Sequence, residues 1–200
     1  ASGLYSRMTV GAVLLAAGAG SRLGGRPKAL LELGGVPLVM RQLIALSGAG
    51  VDELVVVLGH HAESIEAAVR DFPVTLVHNP APDDGQAASL RVGLQALTGK
   101  LDAVIVALAD QPLVNAQDVT ALIGAFKKRG SAAMVVPRVA GEPGNPVMID
   151  AALRDEWLAA EPDAPDGIEP GQVAQEIARG YRRGERTLRA ARVVVARARG

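Results

Sequence analysis

At 200 residues the chain is long enough for one domain with a substantial core and short for two, so residues 8–200 read as a single domain. Its 21 basic and 21 acidic side chains cancel, which removes the electrostatic case for DNA or RNA binding, and 2% aromatic content argues against base-stacking platforms. The 49% hydrophobic composition supplies a core of Ala, Leu and Val, the lack of cysteine excludes disulfides and thiolate chemistry, and no apolar run reaches the roughly 18 residues of a membrane span. Ala1 to Arg7 lacks the apolar centre of a secretory signal. Met8 reads as the native start, Ala1 to Arg7 as a vector-derived remnant, and the expected setting is cytoplasmic.

The uncharged run Val10–Ala16 predicts a strand covered on both faces. It leads into a loop holding Gly18, Gly20, Gly24, Gly25, Arg22 and Lys28. Gly18 and Gly20 are expected to let the backbone turn sharply and to present bare N–H groups at close range. Arg22 and Lys28 put positive charge where a triphosphate develops negative charge during cleavage. Lys28 follows Pro27, and an extended backbone there would let its side chain reach back over the loop. A helix is predicted over Pro37–Ala49, with Leu38, Leu43, Ile44 and Leu46 near one face and Pro37 at the favoured first position.

Leu54–Leu58 reads as the next strand and ends in Gly59, His60 and His61. A helix over Ala62–Arg70, a strand over Val74–Val77, then a helix over Gln86–Leu97 follow. The strand Ala103–Leu108 delivers Asp110, and Pro112 stiffens the turn beyond it. Asn115 can cap a helix over Asn115–Lys128, which Gly130 terminates. Ala132–Val136 is the last predicted strand. Short strands alternating with helices mean an α/β domain: a mostly parallel, doubly wound, Rossmann-like sheet with helices on both faces. Ligands of such sheets bind beyond the carboxyl ends of the strands. The glycine loop, Asn79 and Asp110 each follow a strand, so they converge on that edge.

Two familiar glycine loops are excluded. In the dinucleotide fingerprint G-x-G-x-x-G, Gly18 and Gly20 match, but Leu23 takes the third place and no acid tips the second strand. Gly20 and Gly25 have the spacing of the NTPase phosphate loop, but Arg26 and Pro27 follow where Lys and Ser or Thr belong. An NAD-dependent oxidoreductase is therefore disfavoured. Ser89 lies in a helix-like run without a histidine to activate it, so a nucleotide contact or a packing role fits it better than nucleophilic attack. His60, His61 and His78 are scattered in sequence and without acidic neighbours, which does not make a metal site.

Leu15-Ala16-Ala17-Gly18-x-Gly20-Ser21-Arg22-Leu23-Gly24, then Pro27-Lys28, resembles the signature of the sugar-phosphate and cofactor nucleotidyltransferases. Within them the chain is most similar to the molybdenum cofactor cytidylyltransferases and their guanylyltransferase relatives. Asn79 with Gly85-Gln86-Ala87-Ala88-Ser89-Leu90-Arg91-x-Gly93-Leu94, Asp110-Gln111-Pro112 and Gly144-Asn145-Pro146-Val147 extend the resemblance in the family's order. It implies a nucleotide-diphospho-sugar transferase type of fold and an Mg²⁺-dependent transfer of CMP from CTP to the phosphate of molybdopterin. It also implies molybdoenzyme maturation proteins as partners, with no nucleic acid and no membrane. Asp110 would be the Mg²⁺ ligand of the family's Asp-x-Pro motif, and Asn145 would line the acceptor pocket.

Within that frame Lys28 is assigned to the α-phosphate and Arg22 to the β- and γ-phosphates, where a planar fork suits paired oxygens. Base selection falls to backbone groups of Leu15, Ala16 and Ala17 and to the loop from Asn79 through Gly85 to Ser89. Cytidylyltransferases of the family tend to carry Leu-Ala-Ala-Gly and guanylyltransferases Leu-Ala-Gly-Gly, so Ala17 points to CTP. The family usually closes with a strand and an Asp-x-Asp-Thr-Pro-Glu-Asp run, which supplies a second carboxylate. That run is absent here, and Asp150 is a substitute by position alone. Residues 161–200 are instead Arg-rich. They read equally as a divergent or truncated tail, as a shifted reading frame in a GC-rich gene, or as a solvated basic helix over Gln172–Ala190. Guanylyl transfer, transfer to another small phosphate acceptor, and a non-catalytic cofactor carrier are the alternatives.

Overall fold

The computed structural model describes residues 7–20 and 25–159, together with four short stretches of backbone between 173 and 195. Ser21 and Arg22 lie outside the described residues. In chain order the elements are β1 (Val10–Ala16), a hairpin of β2 (Glu32–Leu33) and β3 (Val36–Pro37), α1 (Leu38–Gly48), β4 (Glu53–Leu58), α2 (Ala62–Val69) and β5 (Thr75–His78). They continue as α3 (Gln86–Ala96), β6 (Ala103–Leu108), α4 (Ala116–Lys127), β7 (Met134–Val135), a second hairpin of β8 (Arg138–Val139) and β9 (Glu142–Pro143), β10 (Val147–Asp150) and α5 (Ala151–Ala159). The strands β11 (Val173–Ala178), β12 (Tyr181–Arg183), β13 (Arg186–Arg189) and β14 (Arg192–Val195) follow.

The central sheet has six strands in the order β5-β4-β1-β6-β10-β7. β1 pairs in parallel with β4 and β6, and β4 in parallel with β5, while β10 runs antiparallel to both its neighbours. The strand order reverses at β1, because the chain first builds outward through β4 and β5 and then crosses to β6. A crevice opens at such a switch point, beyond the carboxyl ends of β1 and β6.

All seven residues of β1 are buried, and strict alternation divides them between two cores. Val10, Ala12, Leu14 and Ala16 face α1, α2 and α4; Val13 and Leu15 face α3 and α5. With few aromatic residues, close approach of helix and sheet rests on small ones. A Cβ on Gly93 of α3 would lie 2.3 Å from Val13 Cγ1 and 2.7 Å from Val57 Cγ2, so α3 sits directly on β1 and β4. That contact brings the N-terminus of α3 over the end of β1.

The structure redraws several details. The buried stripe of α1 is Leu38, Val39, Gln42, Leu43, Ala45 and Leu46, while Ile44 is 54% exposed. At about 100° per residue those six positions form one continuous face, and Ile44 falls opposite it. Pro37 caps this helix from outside it, in extended backbone. The strand predicted over Ala132–Val136 pairs only at Met134 and Val135, at the sheet edge, and β10 is inserted between it and β6. Arg7, assigned to a remnant, donates to the Gly50 carbonyl and to Asp52 at the foot of the sheet. In the tail β11 pairs with β14 and β12 with β13, so a helix over Gln172–Ala190 is overturned. Val173, Ile177, Tyr181, Thr187 and Val193 to Val195 favour a pleated ladder, which outweighs the helical preference of the intervening Arg and Ala.

Candidate active site

A cavity of about 320 Å³ occupies the switch-point crevice. Leu15, Ala16, Ala17, Gly18 and Gly20 form its floor and one rim, Pro27, Lys28 and Ala29 a second wall, and Leu108, Ala109 and Asp110 a third. Gly85, Gln86 and Ser89 close it from the N-terminal turn of α3, with Pro82 and Ile65 beside them. Four separate sequence blocks thus meet in one place.

The glycines have different physical grounds. Gly20 has φ +64°, and a Cβ on it would lie 2.0 Å from the Arg26 carbonyl oxygen, so the returning loop is packed against its backbone. Gly25 N–H donates back to the Gly20 carbonyl at 3.3 Å. Gly18 needs no left-handed backbone, and a Cβ there would meet nothing within 4 Å. It is not what turns the chain; its hydrogen leaves the cavity floor bare. Gly85 has φ +94° and ψ −180°, a region open essentially to glycine alone. Gly59 is required by proximity, since a Cβ on it would come within 2.6–2.9 Å of the Ala17 oxygen, Cβ and Cα. Gly20→Ala should therefore distort the loop, with nucleotide affinity falling at least about tenfold while the melting temperature changes by no more than about 4 °C, because the loop is a surface segment away from the core. Calorimetric titration with thermal melting separates the two effects.

Lys28 opens a single 3-10 turn, Lys28–Leu30, in place of extended backbone. Proline constrains its own φ and the residue before it, and Pro27 is itself extended at φ −67°, ψ 112°. The Lys28 ammonium still points into the cavity and stands 4.0 Å from Asp110 Oδ2, both side chains being 40% exposed. Asp110 accepts no hydrogen bond among the described residues. A half-exposed carboxylate with uncommitted lone pairs, beside a cavity large enough for phosphates, is a donor suited to a hard divalent ion. The capping box of α4 is built by Asn115, whose side chain accepts from the Gln117 and Asp118 N–H groups, and by Asp118, whose carboxylate accepts from the Asn115 N–H, so Asp110 is not needed as a cap.

Asn79 stands apart from the cavity wall. It is 6% exposed, donates to Ser89 Oγ at 2.9 Å and accepts from Ala81 N–H at 2.9 Å. Its reach is thus through Ser89, which lines the cavity and is itself buried. Asn145 is exposed and precedes β10, at the carboxyl-end side of β6, because Val147 pairs with Val106. It shares the edge with Asp110 without lining the cavity. Asp150 is removed from the site altogether. It pairs with Ala103 at the opposite end of β6, accepts from Leu153 N–H and lies 4.0 Å from Arg129, so it cannot serve as a second carboxylate for Asp110.

Four contacts escape a reading by sequence distance. His61 Nε2 is 3.0 Å from the Ala19 carbonyl and pins the glycine loop. His60 Nε2 is 2.9 Å from Asp83 Oδ1 and joins the turn after β4 to the turn after β5. His78 lies 4.0 Å from Glu66, so two of the three histidines do have acidic neighbours in space, although no group of three potential metal ligands forms among the described residues. The fourth contact is made by Gln42, whose amide donates to the Gln111 carbonyl. Its only sequence signal is one polar residue inside an apolar helical stripe.

The profile of the MobA-like NTP transferase domain matches residues 12–179. Nicotine blue oxidoreductase from Paenarthrobacter nicotinovorans is 37% identical over 147 residues, 71% of each chain. Bifunctional protein GlmU from Kineococcus radiotolerans is 37% identical over 134 residues, which are 66% of this chain and 27% of that protein, so only about a quarter of GlmU is represented here. Among solved structures, a nucleotidyl transferase from Methanothermobacter thermautotroptrophicus superposes with a TM-score of 0.64 at 30% identity, covering 80% of this chain and 78% of that one. The manganese complex of Rv0371c from Mycobacterium tuberculosis superposes with a TM-score of 0.64 at 25% identity, covering 76% and 77%. No described helix is long and apolar enough to cross a membrane.

Proposed function

This chain belongs to the MobA-like NTP transferase domain family, and on that premise we propose that it transfers CMP from CTP to the phosphate of a molybdopterin-type acceptor. The observation that carries the reading is the pairing of Lys28 with Asp110 across a cavity floored by Leu15, Ala16, Ala17 and bare Gly18. A cation for the phosphates and a carboxylate for a divalent ion are what nucleotidyl transfer asks of a protein that otherwise only positions its reactants. An oxygen of the acceptor phosphate attacks the α-phosphorus, the bond to the β-phosphate oxygen breaks, and pyrophosphate leaves with that electron pair.

Asp110 would hold Mg²⁺, which keeps several waters and bridges few protein ligands. Such an ion neutralises charge on the triphosphate when bound. The manganese complex of Rv0371c supports a divalent ion at a fold of this kind. Lys28 holds the α-phosphate and meets the charge that grows on it. Arg22, from the loop that Gly20 and Gly25 close, is assigned to the β- and γ-phosphates. The base lies against the Leu15–Ala17 backbone and the first turn of α3, where Gly85, Gln86 and Ser89 line the cavity. Asn79 steadies Ser89, and Asn145 meets the acceptor from the edge beside Asp110.

Ala17 supports a pyrimidine. It is 7% exposed and lines the cavity, so its methyl group takes space from a bound base. CTP is expected to bind more tightly than GTP with Mg²⁺ present. Ala17→Gly should narrow that gap by about 1–2 kcal/mol, the scale of a methyl-sized change in a pocket. Calorimetry measures both affinities, and pyrophosphate release with each NTP and a molybdopterin acceptor measures the transfer. GTP binding as tightly as CTP would move the assignment to guanylyl transfer. Nucleotide binding without pyrophosphate release would favour a carrier. The similarity to nicotine blue oxidoreductase supports a second reading, a redox enzyme on the same fold, which titration with NADH and NADPH tests directly.

A further inference from the structure

Gln42 is 1% exposed, on the middle of α1, among Leu38, Val39, Leu43 and Leu46. An amide in such surroundings is costly to bury unless it is hydrogen-bonded. Its side chain donates to the main-chain carbonyl of Gln111, 69 residues away and directly after Asp110. The other side of the same segment is held by β1, where Ala109 N–H donates to the Leu15 carbonyl at 3.0 Å. Asp110 therefore sits between two anchors, one from the strand that carries the glycine loop and one from the helix behind it. Pro112 adds no N–H to the network, and the far end of the turn is fixed by the α4 capping box.

We propose that Gln42 is a positioning residue that sets the aim of the Asp110 carboxylate toward the divalent ion. The inference rests on the assignment of Asp110 as ligand to that ion. An apolar residue of similar volume would fill the same space in α1 and leave the core packed. What it could not do is hold the Gln111 carbonyl, and with it the direction of Asp110. Ligand-orienting groups behind a metal site typically contribute about 10–100-fold in affinity or activity.

Gln42→Met and Gln42→Leu test this with three readouts. Mn²⁺ binding in the presence of CTP, followed by electron paramagnetic resonance, is expected to weaken at least about tenfold. CTP affinity measured in EDTA is expected to stay within about twofold, and far-UV circular dichroism with thermal melting is expected to show a folded chain that melts within about 4 °C of the parent. Unchanged Mn²⁺ binding in a folded variant overturns the proposal. So does a parallel loss of metal-free CTP binding, or the failure of both variants to fold, because either makes Gln42 a structural residue only. If Asp110→Asn binds Mn²⁺ as the parent does, the ligand assignment itself fails, and this outcome is distinct from a Gln42 result alone.

Discussion

Replacing Asp110 by Asn is expected to lower divalent-ion-dependent turnover by on the order of 10³-fold or more, since a bound metal contributes several kcal/mol of charge stabilisation in the transition state. The change keeps the shape of the side chain and removes its charge. Asp110 is 40% exposed and stands 4.0 Å from Lys28, so the pair contributes only about 0–1 kcal/mol to stability at such a surface. The fold is accordingly expected to survive, with a melting temperature within about 4 °C of the parent. Pyrophosphate release titrated with Mg²⁺ or Mn²⁺ checks the prediction. Turnover near the parent level in Mg²⁺ would remove Asp110 from the metal site.

Lys28→Ala is expected to lower kcat by on the order of 10²-fold or more, the usual loss for a charge partner of the transition state. Ground-state affinity for CTP should fall much less. The ammonium faces an open cavity, and Asp110 is its sole ionic partner among the described residues, so no buried network collapses with it. Single-turnover measurement with saturating CTP isolates the chemical step from binding. A rise in KM with unchanged kcat would mean that Lys28 holds substrate and transition state equally, and the α-phosphate assignment would be wrong. A Lys28→Arg variant adds a geometric check. A planar guanidinium on a different stem should restore charge without restoring the aim, so only partial recovery is expected.

Much of this site was open to reading along the chain because its parts are local. The uncharged run of β1 followed at once by glycines states both a buried strand and a tight turn, since each follows from the chemistry of consecutive residues. The run Val104 to Ala109 ending in Asp110 states that a carboxylate leaves a strand, and Asn115 with Asp118 three residues on states a helix start. Where the structure departs from these local expectations, the cause is also local. Pro27 constrains only itself and its predecessor, so Lys28 enters a 3-10 turn in place of the expected extended backbone. Of the two glycines expected to turn the chain, Gly20 adopts the left-handed backbone and Gly18 does not.

Chain order alone does not state which strands become neighbours. β10 runs antiparallel between β6 and β7, and this carries Asp150 to the far end of the sheet and Asn145 to the near one. Nothing in four residues, Val147 to Asp150, encodes that choice; it is settled by which exposed edge of the sheet remains to be covered. The same holds for contacts between distant segments. Gln42 and Gln111, His61 and Ala19, and His60 and Asp83 meet because α1, α2 and the turn after β5 pack around the end of β1. What consecutive residues encode is the nature of the parts: a buried strand with a glycine loop, a cation, and a carboxylate at a strand end. Their company follows from folding, because proximity across the sheet comes from burying apolar faces together, and that is a property of the whole chain rather than of any stretch of it.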